Sequence, residues 1–340
     1  MENPLISFVI PLYNCRPYIV GCLESIDRQG LEESEYEIVV VDDGSTDGGA
    51  SVAKDYAAGH SNFRLIRKEN GGVASARNLG IREARGKYVC LVDADDYLLE
   101  GGMKILRDEY MARYSEADMI EFRAHTVDRY YDPEEWDHIR EHRLLYAGKA
   151  FDYGCRKGFG WSSCTRILKR DFLLEHGLAF KPFRISEDVL FMAELYAHTE
   201  AEIVICSLDI YRYVVRDTSA VNSTDKVHIR SVIDGFGKIV GRLTEMAGKS
   251  DYPEARFEEQ IASIRRQTLT RLLSGKFSYA ELGLLLSRAT TEGILPFPSP
   301  VTMMQRAANL IISGRLIAYI VSVPVGYVFM PYFKKYVRRN

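Results

Sequence analysis

The sequence lacks the features that define several large protein classes. Its six cysteines (Cys15, Cys22, Cys90, Cys155, Cys164 and Cys206) include no Cys-x-x-Cys pair. Zinc ribbons and thioredoxin-type motifs are therefore excluded, and the six are expected as reduced thiols of a cytosolic protein. No Gly-x-Gly-x-x-Gly follows the first strand-like run; Pro11-Leu-Tyr-Asn14 stands there instead, which argues against a dinucleotide-dependent dehydrogenase. The glycine-rich basic phosphate loop of a sugar nucleotidyltransferase is missing from the same place. The net charge is only −3, so no global field recruits nucleic acid. Met1-Glu-Asn-Pro4 has no basic n-region, and no signal peptide is expected. Internal repeats and low-complexity segments are absent. What remains is an ordinary globular composition, 46% hydrophobic and 27% charged over 340 residues, long enough for one large domain or a domain with an appendage.

The most informative stretch is Gly86-Lys-Tyr-Val-Cys-Leu-Val-Asp-Ala-Asp-Asp-Tyr97. The run from Tyr88 to Val92 lacks polar alternation and is too short for a helix, so it reads as a buried strand. It ends in Asp93, Asp95 and Asp96. Carboxylates at the carboxyl end of a buried strand lie where open α/β sheets bind ligands. Clustered carboxylates repel unless a cation lies between them, and hard oxygen donors suit Mg²⁺ or Mn²⁺. Taken alone, Asp-x-Asp is a common pattern, and its context decides its meaning.

That context is consistent. Leu5–Leu12 reads as a first strand, closed by Tyr13-Asn14, and Pro17 to about Gln29 as an amphipathic helix. Glu37–Val41 reads as a second buried strand ending in Asp42-Asp43-Gly44-Ser45-Thr46-Asp47, followed by a helix to about Ala58. Phe63–Lys68 is a third strand. Glu69-Asn-Gly-Gly-Val-Ala-Ser-Ala-Arg-Asn-Leu-Gly80 is a glycine turn entering a helix whose small residues permit close packing. The alternation of strand and helix specifies a mostly parallel sheet with helices on both faces. In such a sheet the ends at Tyr13-Asn14, Asp42-Asp43 and Asp93-Asp95 lie on one edge and converge on one crevice.

Met103–Arg113 reads as a helix, Ala117–Phe122 as a strand, and Tyr130–Leu145 as an irregular excursion. Ser162–Lys169 is a further strand, and Asp171–Gly177 a short helix with Gly177 as its stop. In Ile185-Ser-Glu-Asp-Val-Leu-Phe-Met-Ala-Glu-Leu-Tyr196, Ser186 can cap a helix with Glu187 and Asp188 in its first turn. Alone, those acids would be read as complementing the helix dipole. Ile203–Ile205 and Ile210–Val215 read as strands. Beyond about Ser223 come amphipathic helices over Val227–Met246, Ala255–Ser274 and Tyr279–Ala289.

The ordered set SFVIPLYN, VVVDDGSTDG, ENGGVASARNLGI, YVCLVDADDYL, SEDVLFM and YRYVVRDTSAV resembles that of a family 2 glycosyltransferase of the GT-A fold, of the bacterial cell-surface polysaccharide type. The resemblance covers about residues 5–222. It implies inverting transfer of a sugar from a nucleotide-sugar donor, usually a UDP-sugar, to a glycan or lipid-linked saccharide acceptor. The alternative is a non-catalytic nucleotide-sugar-binding protein. Carried over by matching motif, Asp43 accepts a hydrogen bond from the base, and Pro11, Tyr13 and Asn14 line the nucleotide pocket. Asn70, Gly72 and Arg77 support base and ribose. Asp93 approaches the ribose or the metal shell, Asp95 ligates Mg²⁺ or Mn²⁺, and Asp188 is the general base. Arg212, Arg216 and Ser219 lie where the family closes over the diphosphate. The Gln-x-x-Arg-Trp motif of processive members is absent, which favours single-sugar transfer.

The expected organisation is a catalytic domain over 1–222, a helical extension over 223–295 and an apolar, basic tail over 296–340. The tail holds the apolar run Leu316–Phe333 followed by Lys334, Lys335, Arg338 and Arg339, and Arg315 and Pro324 interrupt the longer stretch from Leu310. A spanning helix needs about 20 predominantly apolar residues, so peripheral contact through 310–340 with the cytoplasmic face of the inner membrane is expected instead.

Overall fold

The computed structural model describes residues 3–128, 130, 139–183, 186–215, 225–249, 254–296 and 308–309. The expected membrane contact through 310–340, and Arg216 and Ser219, lie outside the described residues. The chain divides into two compact units, residues 1–182 with 191–216 and residues 183–190 with 217–340.

The first unit begins with the expected alternation. Strand β1 (Ile6–Leu12), helix α1 (Ile19–Asp27), β2 (Tyr36–Asp42), α2 (Gly49–Ala57), β3 (Phe63–Arg67), α3 (Val73–Glu83) and β4 (Tyr88–Leu91) follow one another. β2, β1 and β4 are adjacent and parallel, with Leu12 opposite Asp42 and Val9 opposite Leu91. Every residue of β2 and of β4 is buried, as the apolar runs Ile38–Val41 and Tyr88–Leu91 require of strands covered on both faces. Pro11 fits in this central strand because the β1–β4 ladder stops at Val9 and needs no amide from it. Gly80 lets α3 approach the sheet, since a Cβ there would lie 2.2 Å from the Val9 side chain.

Beyond β4 the sheet is mixed. The short strand β5 (Tyr97–Leu98) leads to α4 (Gly102–Ile105), which continues as a π-helical turn over Leu106–Met111. Then come β6 (Met119–Val127), β7 (Leu144–Lys149), α5 (Ala150–Lys157), a 3₁₀ turn at Ser163–Thr165, β8 (Arg166–Lys169), α6 (Arg170–Glu175), α7 (Glu187–Tyr196) and β9 (Glu202–Val214). The strand order is β3-β2-β1-β4-β8-β6-β9-β5, with β7 also paired to β9. β8 runs antiparallel to both β4 and β6, so the mostly parallel expectation holds for β1–β4 and gives way to mixed pairing after them. The two strands expected over 203–215 form one continuous strand, β9. β7 and α5 were not anticipated, because the exposed β7 lacks an apolar stripe and follows the irregular excursion.

In the second unit, α8 (Lys226–Lys249), α9 (Glu254–Ser274) and α10 (Tyr279–Thr291) match the expected amphipathic helices. α10 starts with a capping box in which Ser278 and Glu281 bond each other's backbone. Among the described residues no helix is long and apolar enough to cross a membrane.

Candidate active site

The carboxyl edge of β2-β1-β4 gathers the expected polar residues. β1 is followed by Tyr13, which is half exposed, and Asn14, whose φ of 51° places a non-glycine residue in the left-handed region. The Asn14 amide oxygen accepts from the Thr46 backbone at 2.9 Å, and the Asn14 backbone donates to Ser45 Oγ at 3.1 Å. Asn14 thereby stitches the loop after β1 to the loop after β2, and the left-handed turn leaves Tyr13 facing solvent.

Asp43 is almost fully buried and organises the next loop. Its Oδ1 accepts from Lys68 Nζ at 2.5 Å and the Gly71 amide at 2.9 Å, and its Oδ2 from the Gly72 amide at 2.8 Å. Asn70 closes the same loop by donating to the Asp43 carbonyl at 3.0 Å. Gly72 sits at φ 85°, where a side chain would be strained. A carboxylate offers about four acceptor sites, and loop donors take three of them here. Asp43→Ala should therefore unfasten residues 68–72. It should cost about 2–4 kcal/mol of stability and weaken UDP binding at least about tenfold. A thermal melt and a UDP titration check this; unchanged affinity would limit Asp43 to a role in the fold.

Three carboxylates follow β4, and each is held differently. Asp93 accepts from Arg77 Nη2 at 2.8 Å; that guanidinium is nearly fully buried and lies over the Phe180 ring. Asp96 is buried and accepts from the Tyr211 hydroxyl at 2.6 Å and the Val214 amide at 2.9 Å. Burial, then the charges of Asp93 and Asp95, push its carboxyl up to about 8. Asp95 is half exposed and lines a polar cavity of about 180 Å³ with Tyr18, Glu24, Asp96 and Tyr97.

These residues fit a hard divalent ion. An accessible carboxylate lies beside two others, and their mutual repulsion, registered at Asp96, is what a cation relieves. Among the described residues no three ligating side chains converge on one point. An ion there would take one or two protein carboxylates and complete its shell with water and phosphate oxygens.

Of the expected diphosphate contacts, Arg212 is described. It lies opposite Tyr97 in the β5–β9 pair, is buried, and its Nη1 donates to Asp209 at 2.7 Å. Asp188 is half-buried in the first turn of α7, next to the buried Glu187. The preceding Ser186 has a φ of 61°, so the chain enters this helix through a strained residue instead of the extended one usual for a cap.

Sequence reasoning missed Lys68, Tyr211 and Phe180. Lys68 had a detectable signal, a cation at the end of β3 beside the acidic end of β2. Tyr211 had none, because its partner Asp96 lies 115 positions away.

This parallel half-sheet, continued by β8, β6, β9 and β5 in mixed directions, is the fold the chain shares with GT-A-type glycosyltransferases. Residues 7–173 match the family described as Glycosyl transferase family 2. The uncharacterized glycosyltransferase EpsJ of Bacillus subtilis (strain 168) is 32% identical over 235 residues, covering 68% of this chain and 66% of that protein. The chain spans 51% and 38% of the length of two further curated relatives. Residues 7–173 of the chain are a glycosyltransferase family 2 domain. Among solved structures, S. aureus TarS 1-349 in complex with UDP-GlcNAc superposes with a TM-score of 0.60 at 20% identity, over 92% of this chain and 90% of that one. The mannosyltransferase PcManGT from Pyrobaculum calidifontis, in complex with GDP-Man and Mn2+, gives 0.51 at 18% identity over 95% and 88%.

Proposed function

We propose that this chain transfers one sugar from a UDP-sugar donor to a hydroxyl of a glycan or lipid-linked saccharide, with inversion at the anomeric carbon. The observation that carries the reading is the gathering, on one sheet edge, of the loop tied to Asp43, the Arg77–Asp93 pair and the accessible Asp95. The UDP-GlcNAc in the TarS crystal supports a uridine donor, and the Mn2+ in the mannosyltransferase supports a divalent ion.

In this reading Asp43 and residues 70–72 hold the base, with Pro11, Tyr13 and Asn14 shaping the pocket. Arg77 fixes Asp93 toward the ribose, and Asp95 holds the ion, with Arg212, Arg216 and Ser219 as the closure over the diphosphate. When bound, the ion neutralises charge on the departing diphosphate. The acceptor oxygen forms a bond to the anomeric carbon as the bond to the β-phosphate oxygen breaks. The acceptor proton passes to Asp188 and UDP departs. A single displacement of this kind needs a positioned base and no protein nucleophile.

The test is UDP release from a panel of UDP-sugars with Mn2+, with and without saccharide acceptors. Acceptor-stimulated release supports transfer. Tight UDP binding with no release from any donor would favour a non-catalytic sugar-nucleotide-binding protein.

A further inference from the structure

Asn78 lies in the middle of α3 and is half-buried, although asparagine is a mediocre residue for a helix interior. Its side chain accounts for the choice. The amide oxygen accepts from the Phe180 backbone N–H at 2.9 Å, and the amide nitrogen donates to the Phe180 carbonyl at 2.8 Å. The carboxamide thus pairs with Phe180 as a strand neighbour would, in a stretch that belongs to no helix or strand. Aspartate, leucine and alanine cannot make both bonds.

The residue held this way is itself a junction. The Phe180 ring is buried and stacks on Phe191 of α7, with centroids 4.1 Å apart and planes 10° apart. On its other contact, the Arg77 guanidinium lies 5.4 Å from the same ring centroid while holding Asp93. Lys181, next in the chain, pairs with Glu194 of α7 at 3.8 Å. At the far end of α7, the Tyr196 hydroxyl donates to Glu121 at 3.2 Å, and Glu121 is paired with the buried Arg166. Phe191 follows Asp188 by three residues, one turn along the same helix.

We propose that Asn78 is a positioning residue for transfer, acting through Phe180. By fixing the Phe180 backbone it sets the ring against which α7 registers, and so the orientation of the helix whose first turn carries Asp188. The same ring contacts Arg77, so the Arg77–Asp93 ion pair and the Phe191 face of α7 meet on one phenylalanine. Its consequence for turnover rests on the function proposed above; its consequence for α7 does not.

The experiment uses the full chain with Asn78→Ala, Phe180→Leu and the double variant. Hydrogen exchange should accelerate at least about tenfold at the amides of residues 191–196, with those of α1 and β2 unchanged. UDP affinity should stay within about threefold, while kcat for UDP release falls at least about tenfold in either single variant. The double variant should fall no further, because both changes break one path. Asn78→Asp, which keeps the bond from the Phe180 amide, should be intermediate and covers the case in which alanine destabilises the whole domain.

Unchanged exchange in α7 would overturn the proposal. Equal losses in UDP affinity and kcat would also overturn it, placing the effect of Asn78 on the nucleotide side of α3. A wild-type chain that releases UDP from no donor would count against the proposed function alone, since exchange in α7 still tests the clamp.

Discussion

Asp188→Asn is expected to lower kcat by about 10²-fold or more while leaving UDP-sugar affinity nearly unchanged. The substitution keeps the size of the side chain and leaves an amide oxygen able to accept a backbone hydrogen bond, so the helix should still form. It removes the negative charge and the capacity to take a proton. An acceptor hydroxyl has a high pKa, and without a positioned base its proton must leave to water during the displacement. The strained Ser186 before it, at φ 61°, points in the same direction. A helix start that served only to cap would take a cheaper backbone, and strain of this kind persists where the surroundings fix one side-chain direction. If UDP-sugar affinity collapses and kcat survives, the acids at 187–188 complement the helix dipole and have no part in the chemistry.

Much of the donor edge was legible because it is written locally. β1, β2 and β4 carry the apolar runs Phe8–Leu12, Ile38–Val41 and Tyr88–Leu91, and each is followed at once by polar strand-end residues. Parallel pairing then brings Asn14, Asp43 and Asp93 to one edge with no further information. The helices of the second unit were legible from periodicity for the same reason. What sequence reasoning could not see is how those residues are held. Asp43 was expected to face a base, and in the structure its carboxylate first fastens the loop at 68–72. Asp93 and Asp96 read as equivalent strand-end acids, yet one is held by Arg77 and the other by Tyr211 and Val214. These partners come from elements 16 to 118 positions away, and no spacing rule encodes them. β7 and the antiparallel placement of β8 were missed because short edge or inserted strands carry little periodicity of their own.

That division of labour among the three carboxylates sets the other large effect. Asp95→Ala should reduce transfer to background and abolish any strengthening of UDP binding by Mn2+, with the fold intact. Asp95 lines the polar cavity beside β4 together with Tyr18 and Glu24, which places its carboxylate where a ligand from solvent can reach it. Asp96→Ala provides the contrast: it would leave the Tyr211 hydroxyl and the Val214 amide without their acceptor and cost about 2–4 kcal/mol. Asp95→Ala should do the reverse to stability, and its pH dependence follows from Asp96. An acid whose folded pKa is raised to about 8 contributes stability in full below its unfolded value near 4, and that stability is lost as pH rises through 8. Part of the rise comes from the charge on Asp95. Removing that charge should let Asp96 ionise more easily, so Asp95→Ala should melt slightly above the wild type near pH 8.5 and level with it near pH 4. Full activity of Asp95→Ala in EDTA would remove the metal assignment. A melting point several degrees below wild type at pH 8.5 would show that Asp95 supports the turn after β4.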